Sequence, residues 1–198
     1  MSVGDYYQFD SQDVEKDALF HIPVSQDAPH AKMHEGDAYS ASVVDTTLAD
    51  TEFIDLCFKT PATKLMHMTF DYKSLTGLKL EIFEGATWDA QTGTAVPVFN
   101  MYRDSANTSG VLENRSTAAF LASSELMSNP TTPAGGTAIL TDYLFGAANK
   151  LPEAGGSRVE QILKAGTLYR IRLTSTAANN SGQIRVSWYE HTNRSNTN

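Results

Sequence analysis

The residues with chemistry to offer are five histidines, twenty-three carboxylates, one cysteine and a scatter of serines and aromatics. A zinc site needs nitrogen or sulfur donors at close spacing, such as two histidines one helical turn apart or two neighbouring cysteines. His34 and His67 fall on separate predicted strands, His21 and His30 lie in an acidic lead-in, and His191 ends the last predicted strand. Read this way no histidine pair has helical spacing, and Cys57 has no second cysteine. His34 with Glu35 and Asp37 offers donors to a divalent ion, but histidines satisfied on strand surfaces are the expected arrangement. No metal and no other cofactor is expected.

Carboxylate pairs could serve acid–base cleavage of a glycosidic bond. Glu81 and Glu84 are three apart on one predicted strand, and odd spacing sends them to opposite faces. Glu190 beside His191 at a strand end is similarly weak. No Gly-x-Ser-x-Gly elbow and no phosphate-cradling glycine loop is present. Residues 104–110 lack the regular oxygen ligands and closing glutamate of a calcium loop. Trp88, Tyr102 and Tyr189 could line a sugar-binding face, although aromatics on a sheet more often fill a core. No catalytic residue emerges, so an enzyme is not expected.

The elements that would carry these residues are short and strand-like. Alternation is clearest at the end of the chain. Tyr169, Ile171, Leu173 and Ser175 alternate with Arg170, Arg172 and Thr174, and Ile184, Val186 and Trp188 alternate with Arg185, Ser187 and Tyr189. A period of two puts one face on a core and one in water. Ile171, Leu173, Ile184, Val186 and Trp188 are the expected core. The turn formers of 177–182 between the runs predict that the two strands close the chain as an antiparallel hairpin. Further strands are predicted over 31–35, 38–45, 51–59, 64–72, 77–84, 95–102, 111–114 and 158–164. Many short strands at such spacing predict an all-β sandwich, jelly-roll-like.

Two stretches differ. Residues 1–30 are acidic and lack a repeating apolar pattern, which predicts an extended N-terminal arm. An isolated segment of this kind does not order itself, so Tyr6, Tyr7, Phe9, Leu19, Phe20 and Ile22 are its candidate partner-binding residues. The sandwich domain is then 31–198, carrying a loop-rich insertion at about 115–157. Within the insertion 129–136 and 152–157 are breaker clusters, 117–127 reads as a short helix or a strand and loop, and 138–145 is apolar and of uncertain type.

Composition narrows the field. Hydrophobic residues are 41% and charged residues 19% of 198, and the net charge is -8. That balance argues against nucleic acid as a partner, because phosphate binding needs clustered cations. Residues 1–60 hold twelve acids and three bases, whereas 158–198 hold two acids and six bases. The two ends could attract each other, within a subunit or between subunits, or simply face water. Cys57 sits in an apolar run and is expected to be core filler. Met1-Ser2-Val3-Gly4-Asp5 has neither a basic nor an apolar leader region, and no run approaches membrane-spanning length. A soluble protein made in the cytoplasm, with no membrane partner, is expected.

Several phrases in order carry a resemblance: Met33-His34-Glu35-Gly36-Asp37-Ala38-Tyr39, Lys59-Thr60-Pro61, His67-Met68-Thr69-Phe70 and Phe83-Glu84-Gly85-Ala86-Thr87-Trp88. They continue through Asn100-Met101-Tyr102-Arg103-Asp104-Ser105 to Trp188-Tyr189-Glu190-His191-Thr192. As a set they resemble tailed-bacteriophage virion proteins of the capsid-decoration or head-fibre type, over about 31–192. The resemblance implies a structural protein on the capsid surface of the virion, assembled in the host cytoplasm. Its partner would be the major capsid protein, and it would be a homotrimer, with a dimer second. The alternative is a carbohydrate-binding virion module for host attachment, with Trp88 and Tyr102 near a glycan. A polysaccharide-degrading enzyme is a third reading.

Overall fold

The structure is a computed structural model, and it describes residues 28–89, 92–111, 124–145, 153–156 and 160–192. One helix, α1 (Ala28–Glu35), precedes twelve strands: β1 (Ala38–Leu48), β2 (Phe53–Lys59), β3 (Leu65–Ser74), β4 (Leu78–Thr87), β5 (Thr94–Pro97), β6 (Phe99–Asn100), β7 (Ser124–Ser128), β8 (Ala134–Leu144), β9 (Glu153–Gly156), β10 (Gln161–Leu163), β11 (Leu168–Ser175) and β12 (Asn180–His191). They form two antiparallel six-stranded sheets. The first runs β10-β3-β12-β1-β6, with β9 also on β3, and the second runs β5-β7-β2-β11-β4-β8.

The pairing is nested. β1 lies on β12, β2 on β11, β3 on β9 and β10, and β4 on β8. The chain is thus a long ribbon folded double and rolled, which is the jelly-roll arrangement. β9 and β10 lie end to end along one side of β3, opposite Asp71–Ser74 and Met66–Met68.

Between the sheets lies a single core. Tyr39, Met66, Met68, Phe70, Tyr72, Ile82, Tyr169, Ile171, Leu173, Ile184, Val186 and Trp188 are among its members. Alternation produces it directly: β12 buries Ile184, Val186 and Trp188 while Arg185 faces out. Gly182 sits where a Cβ would lie 2.8 Å from Leu173 and 3.0 Å from Leu48, so the sheets approach closely there.

Several expectations are corrected. β11 and β12 do not form a hairpin; they lie in opposite sheets, because nested pairing gives each a partner from the start of the chain. Residues 31–35 are helical, not a strand. Pro29 is tolerated in the first turn, and Gly36 ends the helix at φ +77°, with Gly36 N–H donating to Met33 O and Asp37 N–H to Lys32 O. A Cβ at Gly36 would also strike Ser105. Gly110 and Val111 form a short 3₁₀ turn where a strand was expected, and 112–114 lie outside the described residues.

The stretch 115–157 is no loop-rich insertion where it is described, since it supplies β7, β8 and β9. Ala134–Gly136, expected to be irregular, open β8, and Gly135 and Gly136 take the positive φ that the start of this strand requires. Glu153–Gly156 pairs as an edge strand despite its glycines. The arm and all six of its candidate residues, Tyr6, Tyr7, Phe9, Leu19, Phe20 and Ile22, lie outside the described residues, and 28–30 belong to α1.

Candidate functional site

β8 is the edge strand of its sheet, and its burial pattern is exposed almost throughout. Leu140 and Leu144 pack at the margin of the core, while Tyr72 donates a hydrogen bond to Asp142 and so ties β8 to the other sheet. Burial and that carboxylate push the Tyr72 phenol well above its ordinary range. The opposite face carries Tyr143 and then Phe145, 45% and 79% exposed, and Ile139, 42% exposed, sits where β8 slips register against β4. The Tyr143 and Phe145 rings stack at 5.7 Å, 11° from parallel, and the Lys79 ammonium lies 6.0 Å from the Tyr143 ring. An apolar stripe on a strand whose edge is unpaired among the described residues is a template for a protein partner.

On the outer face of the other sheet β3 and β12 bring together His67, Tyr189 and His191, with Glu160 just before β10. His67 Nδ1 bonds Glu160, whose Oε1 also accepts from Tyr189 Oη at 2.7 Å. The Nε2 atoms of His67 and His191 are 2.9 Å apart. α1 flanks this cluster, and Pro29, Met33, Met101 and Trp188 help enclose a small, mostly apolar pocket of about 140 Å³ beside it. His30 and His34 face each other on α1 with Nε2 atoms 3.1 Å apart. The helical spacing that sequence reading did not find is therefore present, because 31–35 is a helix and not a strand. Glu35 and Asp37, weighed as partners of His34, instead lie near Lys32. Among the described residues no group of three or more His, Cys, Asp or Glu is arranged to hold a metal ion.

Two buried carboxylates are structural. Glu190, fully buried, accepts from Ser109 Oγ, from Gly110 N–H at 2.8 Å and from Trp188 Nε1 at 3.1 Å, with Lys64 Nζ at 3.7 Å. It clamps the 109–111 turn onto the end of β12. Asp55, also fully buried, accepts a two-pronged bond from Arg172 at 2.8 and 2.6 Å across the β2–β11 register. This pair joins an acid of the first sixty residues to a base of the last forty, within one subunit. The guanidinium also lies 3.8 Å from the Phe53 ring, and Arg170 lies 4.3 Å from that of Phe83. Cys57 is buried, and burial and then Asp55 push its thiol far up.

The weighed acid–base pairs do not converge. Glu81 bonds Lys79, while Glu84 accepts from Tyr169 and Lys164. Burial, then Glu84, pushes the Tyr169 phenol up to about 12. Trp88 follows β4 in one sheet and Tyr102 follows β6 in the other, and no ring contact joins them among the described residues. The candidate stripe lies in 138–145, which the sequence marks as apolar without deciding its type; the strand signal present was Ile139, Tyr143 and Phe145 at spacings of four and two. Among the described residues no helix is long and apolar enough to cross a membrane. Comparison with known proteins gives no match, whether to family models, to curated proteins or to solved structures.

Proposed function

We propose that this protein is a bacteriophage virion structural protein that binds the capsid surface and decorates or stabilises the head. The observation that carries the reading is the exposed apolar stripe of Ile139, Tyr143 and Phe145 on the edge strand β8. Large apolar side chains anchor protein interfaces. A shell gains stability from any copy that bridges its subunits, because the buried surface must be exposed again before they separate. The sequence resemblance to decoration and head-fibre proteins points the same way, and jelly rolls occur in viral capsid domains. The fold alone does not choose, since one fold hosts many functions.

The test is co-sedimentation of the full chain with purified phage heads, beside the double variant Ile139→Asp/Tyr143→Ser. Saturable binding that the variant loses, with an unchanged circular dichroism spectrum, supports the reading. No binding by the parent chain overturns it. A homotrimer matches a local threefold site; light scattering that returns 21.6 kDa, the monomer mass, overturns that part. A carbohydrate-binding virion module is the second reading. It is favoured by Phe99 in β6 and Tyr102 just after it, each about half exposed. Glycan-array binding lost in Tyr102→Ala would select it.

A further inference from the structure

We propose that His67 and His191 form a binding site for a single divalent transition-metal ion of the zinc class. The argument begins with the protons on the other ring nitrogens. His191 Nδ1 lies 3.0 Å from the backbone oxygen of Thr192, and a carbonyl oxygen only accepts, so this nitrogen carries a proton. His67 Nδ1 faces the Glu160 carboxylate and the Tyr189 hydroxyl, the latter at 3.0 Å. Tyr189 gives its one proton to Glu160 at 2.7 Å, so an unprotonated His67 Nδ1 would face a carboxylate lone pair. His67 Nδ1 therefore carries a proton too.

In two neutral rings both Nε2 atoms are then bare acceptors, and they point at each other across 2.9 Å. Two lone pairs at that distance repel unless a cation sits between them. Two nitrogens on one tetrahedral zinc, each about 2.0–2.1 Å away, lie about 3.3 Å apart. A small opening of the pair reaches that spacing. The surroundings match what ligating histidines have, namely the second ring N–H given to a carboxylate or a backbone carbonyl. Imidazole pairs select zinc, copper or nickel over calcium or magnesium. With two protein ligands the remaining positions are open to water. The site is independent of the β8 stripe, so its failure leaves the proposed function standing.

The experiment is calorimetric titration of the untagged full chain with Zn²⁺, repeated with Co²⁺ to read tetrahedral coordination from its visible absorption. Four forms are compared: parent, His191→Asn, Glu160→Gln and the double variant His30→Asn/His34→Asn. The parent is expected to bind one ion that His191→Asn no longer holds. Glu160→Gln should weaken it about ten- to hundredfold, and the α1 double variant should keep it. His191 is partly exposed at a strand end, so its replacement leaves the core intact. No binding by the parent at millimolar Zn²⁺ overturns the proposal. Binding lost only in the α1 variant overturns it as well and moves the ion to the helix.

Discussion

Replacing Glu190 by Gln tests whether a buried charge holds the end of the sandwich together. All the groups around this carboxylate are donors: Ser109 Oγ and Trp188 Nε1 on one oxygen, Gly110 N–H and the Lys64 ammonium on the other. Glutamine keeps one acceptor and turns the other oxygen into a donor. With its oxygen toward Ser109 and Trp188, its amide nitrogen meets Gly110 N–H, which then has nothing to bond. Losing a hydrogen bond to a charged acceptor costs about 1.5–3 kcal/mol, and an orphaned buried donor adds about 1–3. Lys64 is partly solvated and adds little. The sum is about 2.5–6 kcal/mol, or a fall in Tm of about 5–24 °C for a domain of this size. Urea and thermal unfolding followed by circular dichroism read both numbers. Ser109→Ala should cost about 1 kcal/mol, and the double variant should cost less than the two singles together. A loss below about 1 kcal/mol for Glu190→Gln, or strict additivity with Ser109→Ala, would refute the clamp.

Other outcomes follow from the same structure. Trp188→Ala should cost about 3–5 kcal/mol in urea unfolding, because it empties a core site and removes a donor from Glu190. Cys57 should resist a thiol reagent in the native protein and react only as the chain unfolds, which timed labelling in and out of denaturant would check. Hydrogen bonds from Lys164, then Tyr169, hold the Glu84 carboxyl below its ordinary range. Its folded form therefore binds the proton less tightly than the unfolded chain does. The stability it contributes is present above the ordinary carboxylate range and lost as pH falls through the lowered value. Glu84→Gln should flatten that acid limb in a series of melting curves.

The architecture was legible where a single physical rule decided it. Period-two alternation named Ile171, Leu173, Ile184, Val186 and Trp188 as core, and all five are buried. Partner choice was not legible, because alternation says which face is wet but not which strand lies alongside. Hence β11 and β12, adjacent in sequence and both strongly patterned, read as a hairpin although they belong to different sheets. α1 reads as a strand because His34 and its apolar neighbours mimic alternation, while the informative residues are Pro29 and Gly36 at its two ends. β8 hid behind Gly135 and Gly136, which signal a turn and here also start a strand. The His67–His191 pair was invisible for the same reason as the sheet order, since it depends on the register between β3 and β12.

The sheet order also has a temporal consequence. β12 is sandwiched between β1 and β3, and β11 between β2 and β4. During synthesis the first four strands emerge long before the two that must slot between them. Until then β1 and β3, and β2 and β4, lack the strand that lies between them in the finished sheets. Closure must await β11 and β12, so it depends on long-range contacts, a slow regime. The pairing that β11 and β12 make within one chain is the pairing that a second copy's β11 and β12 would make in an exchanged dimer. The route that completes one molecule can thereby also lock two together by strand exchange, and a chain cut before residue 168 should persist only as a strand acceptor.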